Sequence, residues 1–248
     1  MPDLAKWVVL MVAALFAATL AAVTGFGGAA VLLPVLVSVF GMREAVPILT
    51  VAQLIGNGSR VWFNRSELRW KVVGWFALGG VPAALIGGYL FAAAPLAGLT
   101  RLLGAFLLLV VVWRHVRPRL QTVFPTPVFA GIGAGASFIS ALLGSVGPIM
   151  APFFLAYGLV KGAYIGTEAL STVVMHVFKL IAYRQKAVLT ARDCLIGLVL
   201  GPVMVTGSYL GKLILDRVPE KVFVWLIEAV LIIAGVVFLV FGASAPRM

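Results

Sequence analysis

The sequence VTGFGG at residues 23–28 interrupts an apolar block that extends from about residue 7 to residue 40, and Pro34 follows the interruption. A straight helix of that length would measure about 50 Å, whereas the hydrocarbon core of a bilayer is about 30 Å thick. Glycine disfavours a helix through backbone entropy, and proline lacks a backbone N–H donor. The stretch therefore predicts a discontinuous helix or a hairpin.

A second interruption of the same kind lies in the block at about 124–157. Here the sequence GSVGP at residues 144–148 is followed by Pro152. This block is as long as the first and is also too long for one straight crossing of a bilayer. We therefore expect a second discontinuous helix or hairpin.

Eight apolar blocks can be marked along the chain, at about 7–40, 46–63, 72–92, 97–113, 124–157, 163–182, 193–213 and 222–242. The interrupted blocks are the first and the fifth, so they hold matching places in two halves. Pro34 and Pro152 are 118 residues apart, a shift of 119 pairs Arg60 with Lys179, and a shift of 120 pairs Tyr89 with Tyr209. The pattern predicts two four-block repeats, 1–113 and 124–248, joined by a basic cytoplasmic linker at 114–123.

The composition places this chain in lipid. Hydrophobic residues make up 62% and charged residues 11% of its 248 residues, against about 25% charged in soluble domains. The net charge of +11 comes from short basic clusters between the apolar blocks, which is typical of the positive-inside rule and not of a nucleic-acid-binding face. The sequence predicts an all-α integral membrane protein of about eight transmembrane segments, with no nucleic-acid partner.

Two topologies are open. If every block crosses once, Lys and Arg divide 13 to 6 between the two sides, and if the interrupted blocks are hairpins the halves are inverted and the division is 11 to 8. The positive-inside rule favours single crossings, with both termini and the linker in the cytoplasm.

The interruptions are the first candidate binding site. A helix that starts within the membrane presents unpaired N–H groups and the positive end of its dipole, which together attract anions. Discontinuous helices at matching places of two repeats indicate a transporter's binding site, although such glycines can also serve close helix packing. The candidate residues are Thr24, Gly25, Gly27, Gly28, Gly144, Ser145 and Gly147.

Two polar stripes are the second candidate. Each occupies one helical face, the first with Thr50, Gln53, Asn57 and Arg60, the second with Glu168, Thr172, His176 and Lys179. Ionisable side chains at membrane depth usually face a bundle interior or a water path, and the cationic character suits an anion. Glu168 or His176 is the candidate proton-coupling group, whereas Arg60 and Lys179 could alternatively extend to the lipid headgroups.

Other polar residues carry weaker signals. Glu228 is isolated in the last block, and we interpret Ser137 and Ser140 as ordinary contacts between helices. Cys194 is the only cysteine, which excludes an intrachain disulfide and a thiolate metal cluster. No catalytic motif such as HExxH or GxSxG occurs, so we expect neither an enzyme nor a bound cofactor or metal.

The motifs resemble those of the sulfite exporter TauE/SafE family of bacterial permeases. The resemblance rests on residues 23–28 leading to Pro34, Gly41 and Ala45, and on a weaker second copy at 144–147 leading to Pro152, Gly158, Ala163 and Thr167. It covers nearly the whole chain.

The resemblance implies a proton-coupled transporter of small sulfur-containing anions, such as sulfite or organosulfonates, in a bacterial inner membrane. Two alternatives stay open at this point, namely a permease for another small solute (a metal ion or an amino acid) and a membrane scaffold without transport. A homo-oligomer and a monomer both stay open at this point.

Overall fold

The computed structural model describes residues 3–116 and 125–214 and the single positions 232, 236, 239 and 240. Within the two ranges the chain forms nine α-helices: α1 Leu4–Thr24, α2 Gly28–Phe40, α3 Met42–Phe63, α4 Trp70–Ala93, α5 Leu96–Val116, α6 Val128–Leu143, α7 Gly147–Ala156, α8 Lys161–Gln185 and α9 Ala191–Ile214. Linker residues 117–123 and most of the block at 222–242, including Glu228, lie outside the described residues.

The described part of the chain is helical and apolar, as the sequence predicts. Four helices are long and apolar enough to cross a membrane, namely α1, α4, α8 and α9. The shorter α2 and α6 are also apolar. The fold is therefore all-α and membrane-embedded, and the number of crossings depends on how the two interrupted blocks run.

The first interrupted block is a helical hairpin. Helix α1 ends at Thr24, and Gly25 closes it in the left-handed conformation with φ 77°, its N–H donating to the Ala21 carbonyl at 2.9 Å. Helix α2 begins at Gly28, where a Cβ atom would lie 2.7 Å from the carbonyl oxygen of Ala17. Because Ala17 lies two turns before the end of α1, α2 runs back along α1.

The second interrupted block also turns back on itself. Helix α6 ends at Leu143, where Gly144 adopts φ 81°, and α7 begins at Gly147. Phe129 in the first turn of α6 makes edge-on ring contacts with Phe154 and Tyr157 at the end of α7, at centroid distances of 5.0 and 5.3 Å. The end of α7 therefore lies beside the start of α6.

The single crossing favoured by the charge count is wrong for these two blocks, and the hairpin alternative describes them. Left-handed glycines reverse the chain within three residues, and a count of Lys and Arg between blocks does not register such a reversal. The prediction that both termini are cytoplasmic depended on single crossings and stays untested. The linker and the 64–71 loop share one side in either topology.

The two halves run in opposite directions. Arg60 near the end of α3 approaches Glu168 near the start of α8, and Glu44 at the start of α3 pairs with Arg192, which follows α8, at 3.8 Å. The contacts between helices also correspond between the two halves. The contact of α4 with α6 matches that of α9 with α1, and the contact of α3 with α9 matches that of α8 with α4. An inverted duplication would produce this exchange of partners, and the repeat itself stays a prediction.

Replacing Gly25 with alanine is expected to lower the melting temperature of the detergent-purified protein. Gly25 has a positive φ, and its Cβ would overlap the ring of Tyr164 from α8. The left-handed conformation alone costs an alanine about 1–2 kcal/mol. Gly131→Ala is the matched control, because Gly131 lies on an exposed face of α6 with open space around it. In a helix this change stabilises by about 1 kcal/mol, so equal melting temperatures for the two variants would contradict the account.

Candidate binding cavity between the broken helices

A cavity of about 40 Å³ lies where the two helix interruptions meet. A Cβ atom on Gly147 would lie 3.3 Å from the Cβ of Phe26 and 3.7 Å from the backbone nitrogen of Gly27. By volume the cavity holds about three water molecules. Eleven predicted site residues line it, namely Gly27, Gly28, Gln53, Asn57, Arg60, Gly144, Ser145, Gly147, Glu168, Thr172 and His176.

Two helices begin at this cavity. The first residues of α2 and α7, Gly28 and Gly147, both line it. The first N–H groups of a helix have no partner within the helix, and they carry the positive end of its dipole. The cavity therefore faces two sources of partial positive charge that come from the backbone.

Arg60 neutralises the opposite, negative end of α1. Its Nη1 donates to the carbonyl oxygens of Ala21 and Gly25 at 3.1 Å each and lies 3.5 Å from Oε2 of Glu168. Its Nη2 donates to Oδ1 of Asn57. Arg60 is only 5% exposed, so it does not extend to lipid headgroups and is held inside the protein.

Three polar groups on the cavity wall have no hydrogen-bond partner. They are Nε2 of Gln53, Nδ2 of Asn57 and Nδ1 of His176, and all three are buried. The orientation of the Asn57 amide follows from Arg60, which can only donate and so faces the amide oxygen. Because buried polar groups are nearly always paired, and leaving one unpaired costs about 1–3 kcal/mol, these groups mark where a ligand or water would bind.

Glu168 lines the cavity with both of its oxygens already engaged. Oε1 accepts a hydrogen bond from Oγ1 of Thr172 at 3.1 Å, and Oε2 faces Arg60. The carboxylate therefore balances the guanidinium charge within the wall, and the pair adds little net charge to the cavity.

Four predicted site residues do not line the cavity. The Thr50 hydroxyl donates to the Val46 carbonyl within α3 at 2.7 Å. The Thr24 hydroxyl lies 2.9 Å from the Leu20 carbonyl and 2.6 Å from the Phe26 carbonyl, so it holds the interruption in shape. The Gly25 carbonyl accepts a hydrogen bond from Arg60. Lys179 is fully buried, so it does not extend to lipid headgroups either, and its Nζ donates to Oγ of Ser140 at 3.1 Å.

Ser140 is a cavity residue that sequence reasoning missed. It lines the cavity and contacts Lys179, whereas its sequence suggested an ordinary contact between helices. A signal was present, since Ser140 lies four residues before Gly144 and therefore on the same helical face. Ser137, one turn earlier, has a buried hydroxyl without a partner and does not line the cavity.

Comparison with known proteins adds one match. The family model described as sulfite exporter TauE/SafE matches residues 10–238, a range that contains both helix interruptions and every residue of the cavity. No curated protein and no solved structure matches the chain.

Proposed function

Since the chain belongs to the sulfite exporter TauE/SafE family, we propose that it is a secondary transporter that moves a small sulfur-containing anion, such as sulfite or an organosulfonate, across a bacterial inner membrane. The family is one of membrane transporters, and the apolar helices place the chain in a membrane. The anion binds in the cavity between the two helix interruptions, and its transport is coupled to protons.

The unpartnered amide groups of Gln53 and Asn57 carry this proposal. Both residues line the cavity, and the buried amide nitrogen of each has no partner within the described residues. An oxyanion consists of acceptors on every side, so it could take up such N–H donors. Hydrogen bonds from such donors to a charged oxygen are worth more than neutral ones. The start of α2 adds further N–H donors, as helix N-termini do for bound phosphate and sulfate. The start of α7 adds only the Gly147 N–H, because Pro148 has none and the Ile149 and Met150 N–H groups donate to the Val146 carbonyl.

The charge around the cavity supports an anion as well. Arg60 is balanced by Glu168, but no carboxylate of the described residues pairs with Lys179. Among the described residues, the excess charge near the cavity is therefore positive when Lys179 is protonated. The sequence predicts that both Arg60 and Lys179 attract the anion. The missing carboxylate partner assigns the main role to Lys179.

The size of the cavity favours the smallest members of the substrate class. A space for about three waters is close to what the four heavy atoms of sulfite need. An organosulfonate needs more room, and the unbranched side chains of Met150 and Met175 on the wall can adapt to it.

Solute flux in proteoliposomes tests the proposal. Purified protein is reconstituted and the entry of sulfite, thiosulfate and methanesulfonate is measured beside that of glycine and a divalent metal ion. We expect flux of at least one sulfur oxyanion well above that of protein-free liposomes. Flux of the metal ion or glycine alone would support a different permease, and no flux of any solute would support a scaffold; either result overturns the proposal.

A further inference from the structure

Lys179 lies in an unusual environment for a lysine. It is 0% exposed and lies six residues before the end of α8, and among the described residues its polar partner is the neutral hydroxyl of Ser140. Arg60, the other buried cation, has a carboxylate and two carbonyl oxygens. Lys179 is thus shielded from solvent, and its ammonium has no counter-ion among the described residues.

The occupancy of the cavity decides which form of Lys179 is stable. A buried ammonium without a counter-charge is strongly disfavoured against the neutral amine. An anion in the cavity supplies the missing counter-charge, because Ser140 both lines the cavity and contacts Nζ. The Ser140 hydroxyl can accept a hydrogen bond from the ammonium and donate one to the neutral amine, so it serves both forms.

We propose that Lys179 is the proton carrier of this transporter, taking up one proton when an anion occupies the cavity and releasing it when the anion leaves. The lone pair of Nζ accepts the proton from water on the side where the anion enters, and the ammonium returns it to water on the other side. No covalent bond to the anion forms. Proton and anion therefore move in the same direction, one of each per cycle. This inference rests on the proposed function.

The other charged and titratable groups fit this role less well. Both oxygens of Glu168 are engaged by Arg60 and Thr172, so a proton there would leave the guanidinium without its counter-ion. His176 lies one turn before Lys179 and lines the cavity, and its buried Nδ1 has no partner, which suits hydrogen bonding to the anion or to water.

In the described part of the chain, the acids on the helices that pack around Lys179 have other partners: Glu168 of α8 faces Arg60, and Glu44 of α3 pairs with Arg192. Helices α6 and α7 contain no ionisable residue, and α4 contributes only Lys71 at its start and the exposed Tyr89. On α8 itself, the Tyr183 hydroxyl donates to the Ala141 carbonyl. The nearby cations Arg60 and His176, when protonated, both oppose a charge on Lys179, and an anion relieves that opposition.

Proton uptake on binding tests the inference with the unmodified protein. Methanesulfonate and thiosulfate, which stay fully ionised near neutral pH, are titrated into detergent-solubilised protein by calorimetry in two buffers of different ionisation enthalpy. We expect uptake that reaches about one proton per bound anion at its maximum over a pH series. Binding without proton uptake overturns the inference alone. No binding of either anion overturns the inference, and the proposed function falls with it when sulfite flux is also absent in the proteoliposomes.

A matched pair of variants identifies the carrier. In proteoliposomes with a trapped pH dye, Lys179→Gln is expected to lower the number of protons moved per anion at least tenfold, whereas Glu168→Gln keeps about one proton per anion, whatever its rate. The opposite assignment, with coupling lost in Glu168→Gln and kept in Lys179→Gln, overturns the inference. If Lys179→Gln does not elute as a folded protein, the calorimetry of the unmodified protein decides.

Discussion

Replacing Arg60 with methionine is expected to destabilise the protein by about 3–5 kcal/mol, the cost of removing one partner from a buried ion pair. The variant leaves the Glu168 carboxylate buried with only Thr172 as a donor. It also leaves the carbonyl oxygens of Ala21 and Gly25 at the end of α1 without a donor from Arg60. The hairpin between α1 and α2 thus loses the hydrogen bonds that join the end of α1 to Arg60 of α3.

Unfolding in detergent micelles measures this effect. Arg65→Met is the matched control, because Arg65 is exposed and its guanidinium lies over the Trp62 ring, 4.6 Å from the centroid. A surface change of this kind usually stays within about 0.5 kcal/mol. The double variant Arg60→Met with Glu168→Leu is expected to recover part of the loss, since it leaves no unpaired buried charge. Equal stability of Arg60→Met and Arg65→Met would contradict the structural role of Arg60.

The interruptions and the stripes could be predicted from the sequence because both are local patterns. Glycine and proline in an apolar block indicate a broken helix, and this signal does not depend on tertiary contacts. Polar residues three or four apart share a face in any α-helix. Gln53, Asn57, Thr172 and His176 therefore appeared as candidates before the structure showed that they line one cavity.

The direction of the chain after each interruption could not be predicted in the same way. Whether α2 continues or returns depends on the left-handed conformations of Gly25 and Gly27 and on the space beside Ala17, and neither is encoded in hydrophobic periodicity. The charge count chose the wrong alternative because it favours single crossings, 13 to 6 against 11 to 8 for hairpins, and does not register a reversal inside a block.

The partners of the buried cations also depend on the tertiary structure. Arg60 and Glu168 are 108 residues apart, and Lys179 and Ser140 are 39 apart. Sequence reasoning gave both cations one role, attraction of an anion. The structure separates them, because Arg60 has a counter-ion and Lys179 has none among the described residues.

Replacing Gln53 with leucine is expected to reduce sulfur-oxyanion flux by about one to two orders of magnitude without loss of stability. A hydrogen bond to a charged group contributes about 1.5–3 kcal/mol, and each 1.4 kcal/mol corresponds to a factor of ten. The amide nitrogen of Gln53 is buried on the cavity wall without a partner, so its removal relieves a cost in the empty protein. Gln53 is a cleaner test than Asn57, whose oxygen also serves Arg60.

Ser137→Ala is the control for Gln53→Leu, because it removes a buried unpaired group that does not line the cavity. The Ser137 hydroxyl is also buried without a partner, but it does not line the cavity. Both variants are expected to melt at or above the temperature of the unmodified protein, and only Gln53→Leu is expected to lose initial anion flux in proteoliposomes. Equal flux in the two variants would mean that Gln53 donates nothing to the anion. A lower melting temperature for Gln53→Leu would mean that its amide has a structural partner, and its loss of flux would then say nothing about binding.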